Sequence, residues 1–574
     1  MNSLLMLPPF LPLLIGAIFA LLLRGQLRNT IMVLTPLVGA LNLYGLDSGI
    51  FWSLEFMGYE LQPVRIDKLS LMFGYLFHIA SFIAIIYALH VKDSVQHVAS
   101  LAYAASAVGA VFAGDLLTLF IFWELLALTS VFLIWARRTK KAYSSGIRYL
   151  IIQVLSGVIL LAGLLIYAKL NNSLLFNEIG LENQGLAQLS AWLIFIAFGI
   201  KCAFPFAHNW LTDSYPEATP TGTIFLASFT TKVAVYALAR GFPGTELLVW
   251  IGVTMACFPI FFAVIENDLR RVLAYSMINQ IGFMVVGIGI GTSVALNGAV
   301  AHAFNDVIFK GLLMMTMGAV LHMTGKINGS ELGGLYKSMP KTTILCIVGA
   351  ASISAFPLFS GFVSKSMIMS AAVAEGYDIV WLLLLFAAAG VFHHAGIKIP
   401  YFAFFAHDSG IRTTEPPKNM LIAMTLAALA CVTIGTFPQY TVYALLPWDA
   451  SYQPYDLTHV LTQLQLLFFS ALAFVWLNLR HMYPPELPST NLDADWIYRR
   501  FMPNIIKRVA ATMFNAYSTV EQSAIASIKL MINQSYDSEE ARPKGNSARL
   551  WPTETMVIWV AVLLATYLVL YYVL

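Results

Sequence analysis

Residues 301–313 read AHAFNDVIFKGLL and lie inside an apolar run from 295 to 323. His302, Asp306 and Lys310 stand at i, i+4 and i+8 in that run. Residues four apart share a helix face and rise about 6 Å, so the spacing predicts one helix carrying a ladder of titratable groups about 12 Å long. The run is long enough to cross a hydrocarbon core of about 30 Å. Ionisable groups in such a helix must face protein or water rather than lipid. The stretch therefore predicts a bundle of spans around a polar interior.

The remainder of the chain agrees. Its 574 residues are 59% hydrophobic and 11% charged, where soluble proteins carry about 25% charged residues. Sixteen candidate spans fall near 4–24, 30–47, 66–91, 97–114, 115–136, 147–170, 187–205, 220–240, 246–266, 272–291, 295–323, 342–360, 379–404, 418–438, 458–480 and 554–574. The expected fold class is an all-α polytopic membrane protein in the lipid bilayer. The first span lacks a basic leader and a small-residue cleavage site, so it reads as a span rather than a signal. The four cysteines have no disulfide or metal spacing, and no GxGxxG, P-loop or HExxH is present. No cofactor and no metal is expected, and a net charge of +3 suggests no nucleic-acid partner.

The loops orient the chain. Arg24, Arg28, Arg137 to Lys141, Arg270, Arg271, Lys326, Lys337 and Lys341 all fall in loops on one side if the spans alternate. The positive-inside rule makes that side cytoplasmic in an inner membrane, with both termini outward. The segment 481–550 is polar and precedes the span 554–574. Within it, 504–533 reads either as an amphipathic interfacial helix or as a partly ordered linker.

Charges inside the spans narrow the function. Glu124 sits mid-span in FIFWELLAL (120–128), Lys201 near the end of span seven, and Lys232 within FTTKVAVYALAR (229–240). Lys365 and Lys398 lie in GFVSKSM and HHAGIKIPYF. Each such charge at a bilayer centre costs roughly 2.5–3.5 kcal/mol. A buried lysine whose counter-ion moves away is driven to release its proton, and histidine exchanges protons near neutral pH, so these groups are suited to a proton path. Structural alternatives stand beside that reading. Lys201, Lys365 and Lys398 could snorkel to an interface; Glu124 and Lys232 could each sit in a purely structural buried salt bridge; His302 could be a satisfied core histidine. Asp115, at the tight turn after Gly114, reads as a cap for the following helix. His208, Asp213 and Glu217 read as loop residues, where charge costs little. His393 and His394 look like span interior, without a role.

CAFPF (202–206) and SAFPL (354–358) share Ala-Phe-Pro 152 residues apart. Each proline sits at a span end, so both spans are expected to break there. Paired interrupted helices in two halves of a chain point to a transport site.

Several longer stretches carry a family resemblance: GDLLTLFIFWELLALTS, PFAHNWLTDSYPEATP with TKVAVYALAR, DLRRVLAYSMINQIG, HAFNDVIFKGLL, and LYKSMPKTTILCIVGAASISAFPLFSGFVSK. Over roughly 65–410 the chain resembles the antiporter-like membrane subunits of respiratory complex I, membrane-bound hydrogenases and Mrp-type sodium/proton antiporters, most of all the Mrp D-type subunit. The resemblance implies two inverted five-helix repeats, at 97–240 and 246–404, after N-terminal helices over 1–96 and before core helices over 418–480. It implies a proton path through Glu124, Lys201, Lys232, His302, Lys310 and Lys365, with Glu124 modulating the charge of Lys201. Asp306, which the ladder adds to the path, stands where many relatives carry a second histidine; it would hold a proton less tightly or pair with Lys310. Lys398, Asp115 and His208 are accessory candidates. The segment 481–550 with its final span is similar to the lateral helix and anchor of the distal complex I pump subunit.

The leading expectation is thus a proton-translocating subunit of a multisubunit cation/proton antiporter, a secondary transporter moving protons and Na+ or K+ with partner subunits. A pumping subunit of a redox-driven complex is the second reading, and a membrane scaffold or energising partner of a soluble subunit the third.

Overall fold

The computed structural model describes residues 7–182, 184–488, 491–540 and 553–573. Two compact units are present, 1–494 and 495–574. The first begins with α1 (Leu11–Leu22) and α2 (Gly25–Tyr44). A hairpin of β1 (Gly49–Phe56) and β2 (Tyr59–Ile66) follows, antiparallel with Phe56 opposite Tyr59. Its first strand is almost wholly exposed. Asp67 then starts α3 (Lys68–Ala88) through a reciprocal capping box with Ser70.

Over the expected first repeat come α4 (Ser94–Phe112), α5 (Leu116–Trp135), α6 (Lys140–Asn171), α7 (Gly185–Lys201), the short α8 (Asn209–Ser214), α9 (Gly222–Ser228) and α10 (Thr230–Gly241). Over the expected second come α11 (Glu246–Ile265), α12 (Leu269–Ile290), α13 (Ser293–Thr324), α14 (Pro340–Ile353), α15 (Ser360–Ala374) and α16 (Asp378–Val391). Beyond α16 the chain continues in wider π turns over Phe392–Ile397 and Tyr401–Phe405, around the single turn α17 (Lys398–Pro400). Then come α18 (Lys418–Thr436) and α19 (Leu457–Leu479). The second unit contains α20 (Met502–Glu540) and α21 (Thr553–Val573).

Among the described residues twelve helices are long and apolar enough to span a bilayer, and α1, α7 and α14 are shorter apolar helices. A helix occupies each of the sixteen expected positions, but α2 meets neither description, so sixteen spans is a count of positions only. Span twelve differs in kind. It stops at Ile353, before its expected end at 360, and a further helix, α15, follows the break and carries Lys365.

Both Ala-Phe-Pro segments break a helix in the same way. α7 stops at Lys201 and α14 at Ile353; Ala203 and Phe206 have φ of 62° and 66°, and their counterparts Ala355 and Leu358 have 58° and 75°. The carbonyl ends left open inside the membrane are capped by side chains from beyond the break. Trp210 Nε1 donates to Ile200 O at 2.9 Å, and Lys365 Nζ to Ile353 O at 2.8 Å. Left-handed backbone costs a residue with Cβ about 1–2 kcal/mol. Ala355→Gly is therefore expected to keep or raise the melting temperature in detergent. Ala355→Val is expected to lose about 1–3 kcal/mol. Equal melting of the two variants would mean that the break does not need this conformation.

The two broken helices run in opposite directions. α8, beyond the first break, approaches the start of α6 where Ser145 donates to Asp213 O at 2.9 Å, on the side of the basic loops. α14 instead starts on that side, where Lys341 N donates to Glu415 Oε1 at 2.5 Å. The basic residues do share one end of the unit. Arg28 donates to Val91 O and Lys92 O, Arg138 pairs with Asp93, and Arg270 donates to Pro216 O and Ala218 O.

In the second unit α20 is one continuous helix that covers 504–533. Met502, Ile506, Val509, Met513, Tyr517, Val520, Ile528 and Met531 follow helical spacing and are exposed. Residues 541–552, the end of the expected lateral segment, lie outside the described residues.

Candidate functional site

α13 spans 32 residues without interruption, and His302, Asp306 and Lys310 are all fully buried on it. The ladder read from the sequence is present, but its partners come from other helices. Asp306 pairs with Lys232 of α10, Oδ2 to Nζ 2.6 Å, and both side chains are wholly excluded from solvent. Among the described residues, neither carboxylate oxygen of Asp306 has another hydrogen-bond partner. The expected option of a pair with Lys310 is corrected: Lys310 Nζ donates to Ser276 Oγ of α12 at 2.8 Å. A lysine at i+4 along the same helix is not the nearest basic group to the carboxylate when a neighbouring helix is broken beside it.

That neighbouring break was not legible. The chain kinks at Phe229, between α9 and α10, with φ −112° and ψ −68°. No proline or glycine marks it; the signal is the polar run Ser228-Phe229-Thr230-Thr231. The freed Thr230 N–H donates to Tyr103 Oη at 3.0 Å, and Tyr103 Oη also lies 2.6 Å from Thr230 Oγ1. Lys232 Nζ turns back to donate to Ala227 O at 3.2 Å. The kink thus gives Lys232 a carbonyl on one side and Asp306 on the other.

In the first repeat, Lys201 is fully buried; its ammonium donates to Trp123 O and lies 4.7 Å from the Trp123 ring centroid. No direct Glu124–Lys201 ion pair forms among the described residues. Glu124 is half-buried, and its Oε1 has no hydrogen-bond partner. The space for this carboxylate exists because α6 carries Gly157, where a Cβ would lie 1.4 Å from Glu124 Oε1. Ser156, one residue earlier, accepts from Trp123 Nε1 at 3.0 Å and donates to Ala197 O at 2.8 Å, tying α5, α6 and α7 together.

In the second repeat, both nitrogens of His302 are engaged, Nδ1 with Ser364 Oγ at 2.9 Å and Nε2 with Gln280 Oε1 at 3.1 Å. Asn305 Nδ2 donates to Ser360 O at 2.7 Å on the same helix α15. Lys365 is buried at the α14 break, 5.1 Å from the Phe283 ring centroid. Lys398 is buried too. Lys398 donates to Val264 O and Glu266 O at the end of α11 and pairs with Glu486 at 2.8 Å.

Among the accessory candidates, Asp115 is a helix cap: it accepts from Thr118 N at 2.7 Å, Thr118 Oγ1 at 2.8 Å and Gln62 N at 2.9 Å. His208 and Glu217 are corrected from exposed loop residues to buried ones. His208 Nε2 lies 3.1 Å from Asp493 Oδ2, which also accepts from Tyr275 Oη at 2.7 Å; Glu217 pairs with Arg137 and Lys141. For His208 the reason is that Asp493 reaches back onto it from the polar segment; Glu217 is held between Arg137 and Lys141. Burial works against the charge on Asp493, but the His208 and Tyr275 hydrogen bonds hold its carboxyl below the ordinary range. Burial raises Glu486, with Lys398 opposing. Sequence reading missed Glu486, Asp493 and Gly157, which become informative only through partners distant in the chain.

Two inverted broken helices beside a mostly buried set of two acids, four lysines and a histidine are the arrangement expected of antiporter-like membrane subunits. Residues 113–393 match the family described as NADH:quinone oxidoreductase/Mrp antiporter, transmembrane. The D-type subunit of the Na(+)/H(+) antiporter of Alkalihalophilus pseudofirmus is 31% identical over 309 residues, 50% of this chain and 62% of that protein. The chain spans between about a third and two thirds of the length of the curated relatives it matches. Among solved structures, the Mrp complex from Dietzia sp. DQ12-45-1b matches with a TM-score of 0.74 at 21% identity, over 98% of this chain and 65% of that one. The membrane-bound sulfane sulfur reductase, an archaeal respiratory membrane complex, matches with a TM-score of 0.72 at 21% identity, over 99% and 100% of the two chains. The fold is that of a multi-pass membrane protein of this type.

Proposed function

We propose that this chain is the proton-translocating subunit of a multisubunit monovalent-cation/proton antiporter in the cell membrane. The observation that carries the reading is the Lys232–Asp306 pair, buried at 2.6 Å between the two repeats with no other partner for the acid. In a low-dielectric interior an ammonium is stable beside its counter-ion and is driven to shed its proton when the two separate. Lys232 can then pass a proton toward His302, Lys310 and Lys365, and be recharged from Lys201 and Glu124. Asp306 belongs to the path as the moving counter-ion. The repeats are assigned to 97–240 and 246–404, the lateral segment to 481–550 and the anchor to 554–574. The basic end faces the cytoplasm and both termini face outward. Partner subunits and Na+ or K+ complete the exchange.

A redox-driven pump is the second reading. It is favoured by one observation: the respiratory-complex chain is matched along its whole length, whereas the Mrp chain is matched over 65%. Inverted vesicles holding the native complex separate the two. Dissipation of an imposed pH gradient on adding Na+ or K+ is the antiporter result. Acidification on adding a redox substrate, with no response to either cation, would move the chain to the respiratory class. Lys201→Met should abolish whichever response is found; an unchanged response would leave a scaffold.

A further inference from the structure

The buried axis ends at Lys365, and the reading above leaves open how a proton leaves it. A cavity of about 460 Å³ extends beyond Lys365, between α15, the start of α16 and the first turns of α19. Its wall is mostly apolar, with a polar stripe of Lys365, Ser366, Ser370, Thr458, His459 and Gln463. That volume holds several water molecules, and the stripe offers them partners.

At the far end of the stripe His459 bridges two helices. Its Nε2 lies 2.8 Å from Ser370 Oγ on α15, and its Nδ1 lies 2.6 Å from Asp456 Oδ2 at the start of α19. Ser370 Oγ is also 3.1 Å from Tyr452 Oη. The Asp456 side chain is 51% exposed and the His459 side chain 32%. This end of the unit is opposite the basic loops. α18 starts where Asn419 meets the end of α3, beside those loops, and in its last turn the Gly435 carbonyl accepts from Tyr455 Oη, just before α19.

We infer that His459, with Asp456, is a proton-release site that joins Lys365 to water on the face away from the basic loops. A proton leaves Lys365 into cavity water and is taken at His459 Nε2. The resulting imidazolium is balanced by the Asp456 carboxylate, and the proton passes through that carboxylate to bulk water. No bond other than N–H and O–H changes. The competing local account is an ordinary helix start, since Asp456 Oδ1 accepts from His459 N at 2.7 Å. A cap, however, requires neither a histidine nor that its second nitrogen reach another helix at a cavity shared with the last buried lysine.

The inference rests on the proton-path reading, so both are tested together in vesicles of the native complex. His459→Ala is expected to lower proton flux at least about tenfold, as loss of a proton-shuttling group does. Imidazole is expected to restore much of it, relative to the background imidazole produces with Lys232→Ala. Asp456→Ser keeps a capping oxygen and is expected to assemble normally with reduced flux. Full flux in His459→Ala, or in a normally assembled Asp456→Ser, would overturn the release site while leaving the central path intact. Loss in His459→Ala with no imidazole response would also overturn it. Full flux in Lys232→Ala would remove the path itself.

Discussion

Asp306→Leu is expected to cut transport at least about a hundredfold and to cost about 3–5 kcal/mol of stability, as breaking a buried ion pair does. The reason is the isolation of the pair. Lys232 and Asp306 are both fully buried, and neither oxygen of the acid has a second donor to fall back on. Removing the carboxylate leaves an ammonium with only Ala227 O and Thr231 Oγ1 near it. Replacing both partners by apolar residues of similar volume is commonly neutral or stabilising. The double variant Lys232→Met with Asp306→Leu is therefore expected to recover most of the lost stability and none of the transport. Thermal melting and proton flux on the same preparations separate the two effects. Transport that returns along with stability in the double variant would make the pair a structural staple.

The second large effect concerns a residue with no chemistry of its own. Gly157→Ala is expected to leave the fold as stable or slightly more so, and to reduce transport by at least about tenfold. Alanine is favoured over glycine inside a helix by roughly 1 kcal/mol. The new methyl would lie 1.4 Å from Glu124 Oε1, with the next contact at Glu124 Cδ, 2.5 Å away. The obstacle is the far end of a flexible side chain, so the backbone need not move. The carboxylate must leave its seat, and misplacement of a reacting group by about 1 Å can cost a hundredfold. Matching flux in Gly157→Ala and wild type would show that the position of Glu124 is immaterial.

The parts of this site that periodicity encodes were readable in the chain. The spacing of His302, Asp306 and Lys310 placed three groups on one face of one helix, and two Ala-Phe-Pro segments marked two breaks. Pairings across helices are a different kind of information. Lys232 and Asp306 are 74 residues apart, and no local pattern says that one faces the other. The kink at Phe229 has no proline or glycine, so its position depends on Tyr103 supplying the hydroxyl that satisfies Thr230. His208 looked exposed because it follows a break; it is buried by Asp493, nearly three hundred residues later. The hairpin over 49–66 was invisible for the opposite reason, since a strand exposed on both faces has no alternation to read.

The ion pair joins an acid from one repeat to a base from the other, and so it acts as a thermodynamic hinge between halves that are otherwise alike. Whatever free energy is spent parting Asp306 from Lys232 by an event in one half is, by linkage, returned in the same amount to events in the other. On the proposed reading, a cation, a partner subunit or a voltage acting anywhere along the axis biases a single equilibrium, pair closed or pair open, and two half-channels connected in this manner do not load independently.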